Sequence, residues 1–237
     1  MRIGVIAEGF ADVNVIKAIL KKIAGIDGSE VRLLRPQEQL DETDLNELNF
    51  SSWQLVFESC KDEEKLSAFF EDIEGEALLI VHVDTAERGL KGFDIPEPQR
   101  TGSTDYAAYS EQVRVKVIEK LKFLLPERFH KNIAYAIAIE ETDAWLIPLF
   151  ENNAKDTASH TKAKETLSKL IGKDKKRQKE YTDTSKKSLN YKNLGKLFAK
   201  NLSLCRTRNK SLDLFCAEIE ERKLHHLDYP CSRMKRV

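Results

Sequence analysis

The sequence predicts an α/β protein: a mostly parallel sheet covered by helices, followed by a basic, helical C-terminal part. Three observations lead there. Short apolar runs at residues 2–7, 31–35, 77–84 and 133–140 alternate with amphipathic stretches, and that alternation implies parallel strands joined by helical crossovers. The run ALLIVHVD, residues 77–84, is too continuously apolar to have one wet face, as in a strand covered on both sides. Three of the runs end in carboxylates: Glu8, then Asp84, then Glu140, Glu141 and Asp143. In open α/β sheets ligands sit just beyond the C-terminal ends of the strands.

Taken in order, Glu8-Gly9-Phe10-Ala11-Asp12 reads as a tight turn into a helix whose apolar stripe is Val13, Ile16, Ile19, Leu20 and Ile23. Asp12 falls at the helix start, where a carboxylate is favoured by the exposed amides; a metal role is the other reading. After the second strand, the acidic stretch 36–49 reads as a surface loop. Ser51 or Ser52 is placed to cap a helix through Trp53, Val56, Phe57 and Cys60, and Leu66, Phe69, Phe70 and Ile73 continue a helical stripe. Beyond the strand 77–84, residues 87–103 form an irregular loop rich in Gly and Pro. Thr104-Asp105 opens a long helix that Pro126 ends. The run Ala144-Trp145-Leu146-Ile147 starts another.

From about residue 155 the character changes. Helices are expected at 161–171, around Leu194 to Leu202 and around Leu212 to Ile219, with a basic polar turn at 172–187 and a loose tail from His225. The expected organisation is an α/β domain over 1–154 and a basic helical extension over 155–237.

With 237 residues, 41% hydrophobic and 33% charged, the chain is long enough to bury a sizeable core. No apolar run approaches the roughly 18 residues of a membrane span, and the first residues lack a signal-peptide pattern. Cys60, Cys205, Cys216 and Cys231 are widely spaced with no C-x-x-C pair, so they read as reduced thiols in a cytoplasmic protein. The zero net charge hides an asymmetry. Residues 1–154 carry 17 Lys and Arg against 29 Asp and Glu, whereas residues 155–200 carry 14 against 5. An acidic body beside a basic part suits a metal site next to a phosphate-binding surface; the plainer reading is a solvated lysine-rich face.

Carboxylates gathered at one sheet edge repel one another, and a hard divalent cation held by oxygen ligands is the usual compensation. Glu8 and Asp84 are the leading candidates. Strand alternation would put Glu140 and Glu141 on opposite faces, which favours Glu140 together with Asp143. His82, two residues before Asp84 and on the same face, reads as a packed histidine rather than a base. Trp145 reads as core. Arg88 and Lys91 are either phosphate contacts or ordinary loop charges.

The Glu8-Gly9 turn after the first strand, the strand-ending Asp84-Thr85 and the later acidic cluster together resemble a Toprim domain, in which an E-G turn and a D-x-D strand end bind Mg2+ between them. The second acidic position of D-x-D is Ala86 here, with Glu87 one residue on. A closer likeness is to small bacterial Toprim-like proteins, related to OLD-type nucleases, carried by His82-Val83-Asp84-Thr85, the run Glu140-Glu141-Thr142-Asp143-Ala144-Trp145-Leu146, the Lys162-Ala163-Lys164-Glu165 helix and Asn209-Lys210-Ser211-Leu212.

That resemblance implies a Mg2+- or Mn2+-dependent phosphodiester hydrolase acting on nucleic acid, of the kind met in phage defence or mobile elements. Glu8, Asp84 and Glu140 would be catalytic, and Glu8, Asp84, Glu140 and Asp143 would hold the metal. Arg88, Lys91, Lys162, Lys164, Lys175, Lys176 and Arg177 would meet nucleic acid. A second reading is an inactive metal-binding subunit that docks a partner such as an ATPase. A third, a receiver-like fold phosphorylated on Asp84, fits neither the Glu8 turn nor the basic part. No membrane partner is expected, and self-association stays open.

Overall fold

The computed structural model describes residues 1–36, 52–71, 76–153, 155–183 and 188–222. The readings made for the acidic stretch 37–49, for Ser51, Ile73, Lys186, Lys187 and Cys231, and for the tail from His225 lie outside the described residues. Four strands, β1 (Arg2–Ile6), β2 (Val31–Arg35), β3 (Ala77–Asp84) and β4 (Ile133–Ala138), form one all-parallel sheet in the order β2-β1-β3-β4. The registers Ile3 to Leu78 and Asp84 to Ala138 bring the C-terminal ends of β1, β3 and β4 to one edge.

The chain leaves β1 through α1 (Phe10–Ala24) to β2 on one side. It then returns through α2 (Ser52–Lys61) and α3 (Glu63–Glu71) to β3 on the other. Between β1 and β3 the winding direction therefore reverses, and such a switch point opens a crevice at the strand ends. The helix α4 (Tyr106–Leu124) crosses over to β4 and is capped by Asp105, whose carboxylate accepts from the amides of Ala107 and Ala108.

Alternation along the strands sorts the core into two layers. Ile3, Val5, Leu78, Ile80, Ala134, Ala136 and Ala138 face α1 and the C-terminal helices. Ile6, Leu79, Val81, Val83, Ile133, Tyr135 and Ile137 face α2, α3 and α4. The three alanines of β4 leave room for α9 (Lys210–Glu221), which packs on that strand beside α1.

The C-terminal part is a layer of the same core. The helices α5 (Ala163–Gly172), α7 (Tyr191–Lys200), α8 (Leu202–Thr207) and α9 bury Leu167, Phe198, Cys205 and Phe215 in one cluster with the β1 and β4 side chains. Where α7 meets α1, a Cβ at Gly195 would stand 3.4 Å from the Asn14 carbonyl oxygen, so the missing side chain sets how closely the two helices approach. Two expectations change here. The basic stretch read as a turn contains a further helix, α6 (Lys175–Tyr181), capped by Asp174, and a two-residue hairpin, β5 (Thr182–Asp183) with β6 (Ser188–Leu189), follows it. After β4 comes no α-helix but two 3-10 turns, Thr142–Trp145 and Ile147–Leu149, because Pro148 has no amide hydrogen to continue the ladder. Among the described residues no helix is long and apolar enough to cross a membrane. Cys60, Cys205 and Cys216 are buried free thiols.

Gly4 in β1 offers a test of the packing. A Cβ there would lie 2.6 Å from Cζ of Phe69 and 2.9 Å from Cδ1 of Leu34, both buried. Gly4→Ala should destabilise the protein by about 1–3 kcal/mol in urea unfolding, as overpacking does. Phe69→Leu added to it should recover part of that loss. A neutral Gly4→Ala would show that α3 is free to move off the sheet.

Candidate metal centre

The crevice between β1 and β3 is built from four short segments. Glu8 follows β1, and its Oε1 accepts from the Asp84 backbone amide at 2.7 Å. Gly9 caps α1 in an extended conformation, and Asp12, one turn in, turns its Oδ2 back to the Gly9 amide at 2.9 Å. Asp84 ends β3, with its Oδ1 held by the Thr142 amide at 2.9 Å and the Thr142 hydroxyl at 2.8 Å. His82 lies one pleat back on the same face, fully buried, with Nε2 2.7 Å from the Thr142 hydroxyl and 3.6 Å from Asp84 Oδ1. Asp143 is buried and accepts from the Tyr191 hydroxyl at 2.8 Å.

Asp12, His82 and Asp84 each offer one ligand atom, and the three atoms lie within 4.8 Å of one another. The two readings of Asp12 are compatible: Oδ2 caps the helix, and a carboxylate has further lone pairs to give. The Thr142 hydroxyl has one proton, which goes to Asp84 Oδ1. His82 Nε2–H must then be the donor to Thr142, which leaves Nδ1 as an acceptor, and this atom is buried without a hydrogen-bond partner.

Electrostatics favours a cation here. Burial raises the Asp84 pKa well above the usual carboxylate range, and the neighbouring Asp12, Glu8 and Asp143 charges raise it further against the opposing Thr142 hydrogen bond. Burial also pushes Asp143 up to about 6; the Tyr191 hydrogen bond opposes this, and Glu141 and Asp12 add to it. Burial lowers the His82 pKa against the opposing Asp12 charge, which favours the neutral imidazole. Three to four carboxylates and one neutral imidazole suit a hard divalent ion, with the nitrogen making Mn2+ as acceptable as Mg2+.

The turn that carries Thr142 and Asp143 is fixed from behind. Trp145 Nε1 donates to the Ser211 hydroxyl at 2.9 Å, and Ser211 in turn donates to Asn209, the cap of α9, at 2.9 Å. Asn209 Nδ2 donates to Thr157 at 2.9 Å. The Asn209-Lys210-Ser211-Leu212 motif thus sets the position of the acidic turn through Trp145.

Not every expected residue joins the cluster. Glu140 does not: β4 stops at Ala138, and Glu140 takes a left-handed conformation (φ 66°), so the strand alternation that assigned it ends before it. Its buried carboxylate accepts from Arg88 Nη1 at 2.9 Å and pairs with Arg100. Arg88 is buried at 3% exposure, so it is no open phosphate contact in this state. Glu141 accepts from the Lys164 amide at 2.7 Å. Lys91, Lys162, Lys164, Lys175, Lys176 and Arg177 are exposed. Lys164 lies near enough to Asp143 to lower its pKa, so the basic α5 begins beside the acidic cluster. His82, absent from the sequence-derived ligand set, and Asp12, whose metal reading stood beside its capping one, are central to it.

Comparisons with known proteins add nothing to this picture: no family model matches the chain, and no curated protein or solved structure matches it either.

The raised pKa of Asp143 has a defined consequence for stability. The native side chain holds its proton more tightly than the unfolded chain does, so its ionisation destabilises the metal-free protein as pH rises from the unfolded value of 3.8 through about 6. Relative to wild type, Asp143→Asn should gain about 3 kcal/mol between roughly pH 4 and pH 7, at roughly 1.4 kcal/mol per pH unit. Urea titrations in EDTA check this, and a pH-independent difference would mean that Asp143 ionises freely. Mg2+ or Mn2+ should raise the melting temperature more at about pH 7.5 than at about pH 5, because protons compete for the same oxygens.

Proposed function

We propose that the chain is a Mg2+- or Mn2+-dependent phosphodiester hydrolase acting on nucleic acid, built on a Toprim-like α/β core. The observation that carries this reading is the convergence of Asp12, His82 and Asp84 within 4.8 Å at the β1–β3 switch point, with Glu8 and Asp143 beside them. Glu8, Asp12, Asp84 and Asp143, with His82, would hold the cation. When bound, such an ion polarises a phosphoryl oxygen and lowers the pKa of a water ligand.

The protein's own groups do the rest. Thr142 fixes the Asp84 carboxylate through two hydrogen bonds, and Tyr191 orients Asp143. A carboxylate not needed for coordination would take the proton of the attacking water. The exposed lysines of α5 and α6, starting at Lys164 beside the cluster, would hold the phosphate backbone without reading sequence. Ala86, exposed where a D-x-D pattern would have its second acid, supports a single cation. It is also what favours the second reading, a metal-binding but inactive subunit that docks a partner such as an ATPase.

Cleavage of plasmid and single-stranded substrates with Mg2+ or Mn2+ separates the two. Asp84→Asn and Asp12→Asn should abolish cleavage while keeping the metal-free fold, since each relieves like-charge repulsion. Thr142→Val, which removes the hydroxyl that supports both Asp84 and His82, should cost about 10–100-fold. Full activity of Asp84→Asn would end the proposal, and ion binding by wild type without any cleavage would favour the inactive subunit. Lys175→Gln, Lys176→Gln and Arg177→Gln together should flatten the salt dependence of duplex binding by about 2–3 in log–log slope. An unchanged slope would return α6 to a solvated face.

A further inference from the structure

The loop after β3 holds a second charged cluster, on the other side of Thr85 from the carboxylates. Arg88 is 3% exposed, and its Nη1 donates to the Thr85 carbonyl at 2.6 Å and to Glu140 Oε1 at 2.9 Å. Its Nη2 pairs with Glu97 Oε1 at 3.0 Å and donates to the Tyr109 hydroxyl oxygen. Arg100 Nε lies 2.8 Å from the same Glu97 oxygen in an ion pair while its N–H donates to the Tyr109 hydroxyl at 3.1 Å, and its Nη2 donates to Glu140 and Tyr109. Arg88 Nε and Arg100 Nη1 are buried with no hydrogen-bond partner.

The two glutamates are not equivalent. The Glu140 side chain is 5% exposed and is a fixed counter-ion at the sheet edge. The Glu97 side chain is 56% exposed and stands on a loop between Pro96 and Pro98. An ion pair with so exposed a partner is weakly held. Yet its departure leaves two largely buried guanidinium groups facing one carboxylate, and an uncompensated buried charge is costly. An external anion that offers an oxygen at the same place resolves that imbalance. Guanidinium forks match phosphate oxygens in particular.

We propose that Arg88 and Arg100 form a phosphate-binding site, which the Glu97 carboxylate occupies in the free protein. A phosphate oxygen at the position of Glu97 Oε1 would pair with Arg88 Nη2 at 3.0 Å and Arg100 Nε at 2.8 Å, and the unpartnered Arg88 Nε–H and Arg100 Nη1–H are spare donors. The site is joined to the carboxylate cluster through Thr85, the residue after Asp84. If the phosphodiesterase reading holds, on which this identification of the ligand rests, the occupant is a backbone phosphate flanking the one at the carboxylates.

The test uses calorimetric titration of the full-length protein in EDTA, so that it does not depend on metal or on cleavage. The probes are inorganic phosphate and a short phosphorothioate oligonucleotide. Glu97→Gln should bind inorganic phosphate about fivefold more tightly than wild type. Glu119→Gln, which removes an exposed charge elsewhere on α4, should not. Arg100→Gln in the Glu97→Gln background should abolish the gain, and Arg100→Lys, which keeps the charge and loses the fork, should weaken it. A matching gain for the oligonucleotide identifies a backbone phosphate. A gain for inorganic phosphate alone supports the site but overturns its link to nucleic acid. Equal phosphate affinities of wild type and Glu97→Gln, or none measurable for either, overturn the site itself.

Discussion

A carboxylate at the end of a buried strand has to be accounted for, and Asp84 is accounted for by three segments at once. Its backbone amide goes to Glu8 after β1, and its side chain takes both donors of Thr142 after β4. These contacts tie the ends of three strands together at the point where the sheet changes winding direction. They also leave a remainder. Two hydrogen bonds stabilise an ionised carboxylate, but Asp12, Glu8 and Asp143 add like charges that raise its pKa. Repulsion of that kind is tolerated when something else neutralises it. The turn at 142–145, the Trp145 anchor and the α9 cap all serve to hold this unfavourable arrangement in place.

Much of the fold was legible because its signals are local. The run from Ala77 to Asp84 announces a strand buried on both faces, and Asp105 and Pro126 bracket α4 as capping and termination rules require. The ends Glu8, Asp84 and Asp143 follow from those strands. What failed depended on contacts distant in sequence. Glu140 was assigned by a period of two that stops at Ala138, and its partner Arg88 lies 52 residues away. Arg88, which the sequence offers as a phosphate contact or an ordinary loop charge, is buried against Glu140 for the same reason. Helix α6 has almost no apolar stripe and stands on the Asp174 cap, so periodicity could not find it. The stripes of α5, α7 and α9 were readable, but not that they close over β1 and β4 as a layer of the main core. His82 had a sufficient structural reason to exist as a buried ring, and Asp12 was readable equally as a helix cap or a metal ligand, so their convergence with Asp84 could not be read from the sequence.

The sheet edge is sorted by charge. Carboxylates collect around the β1–β3 crevice, on the face that holds His82 and Trp145. The two arginines collect beside Tyr109, which belongs to the opposite core layer. Thr85 is the partition: its amide and hydroxyl bind the Glu140 backbone, and its carbonyl accepts from Arg88.

This partition gives Glu140 a role that differs from the one its sequence position suggested. A guanidinium beside Asp84 would pair with it, oppose the rise of its pKa and weaken the electrostatic demand for a cation. Both arginines are instead engaged by Glu140 from a buried position just beyond β4. Its left-handed backbone, uncommon for a residue with a Cβ, turns that carboxylate away from the other acids. The same residue thus gives the arginine pair a fixed, buried counter-ion and would keep that pair from being left without one if Glu97 departs. The proposed metal site and the proposed phosphate site would then stand on opposite sides of Thr85 without neutralising each other, as a reaction between a cation-bound water and a phosphate chain would require.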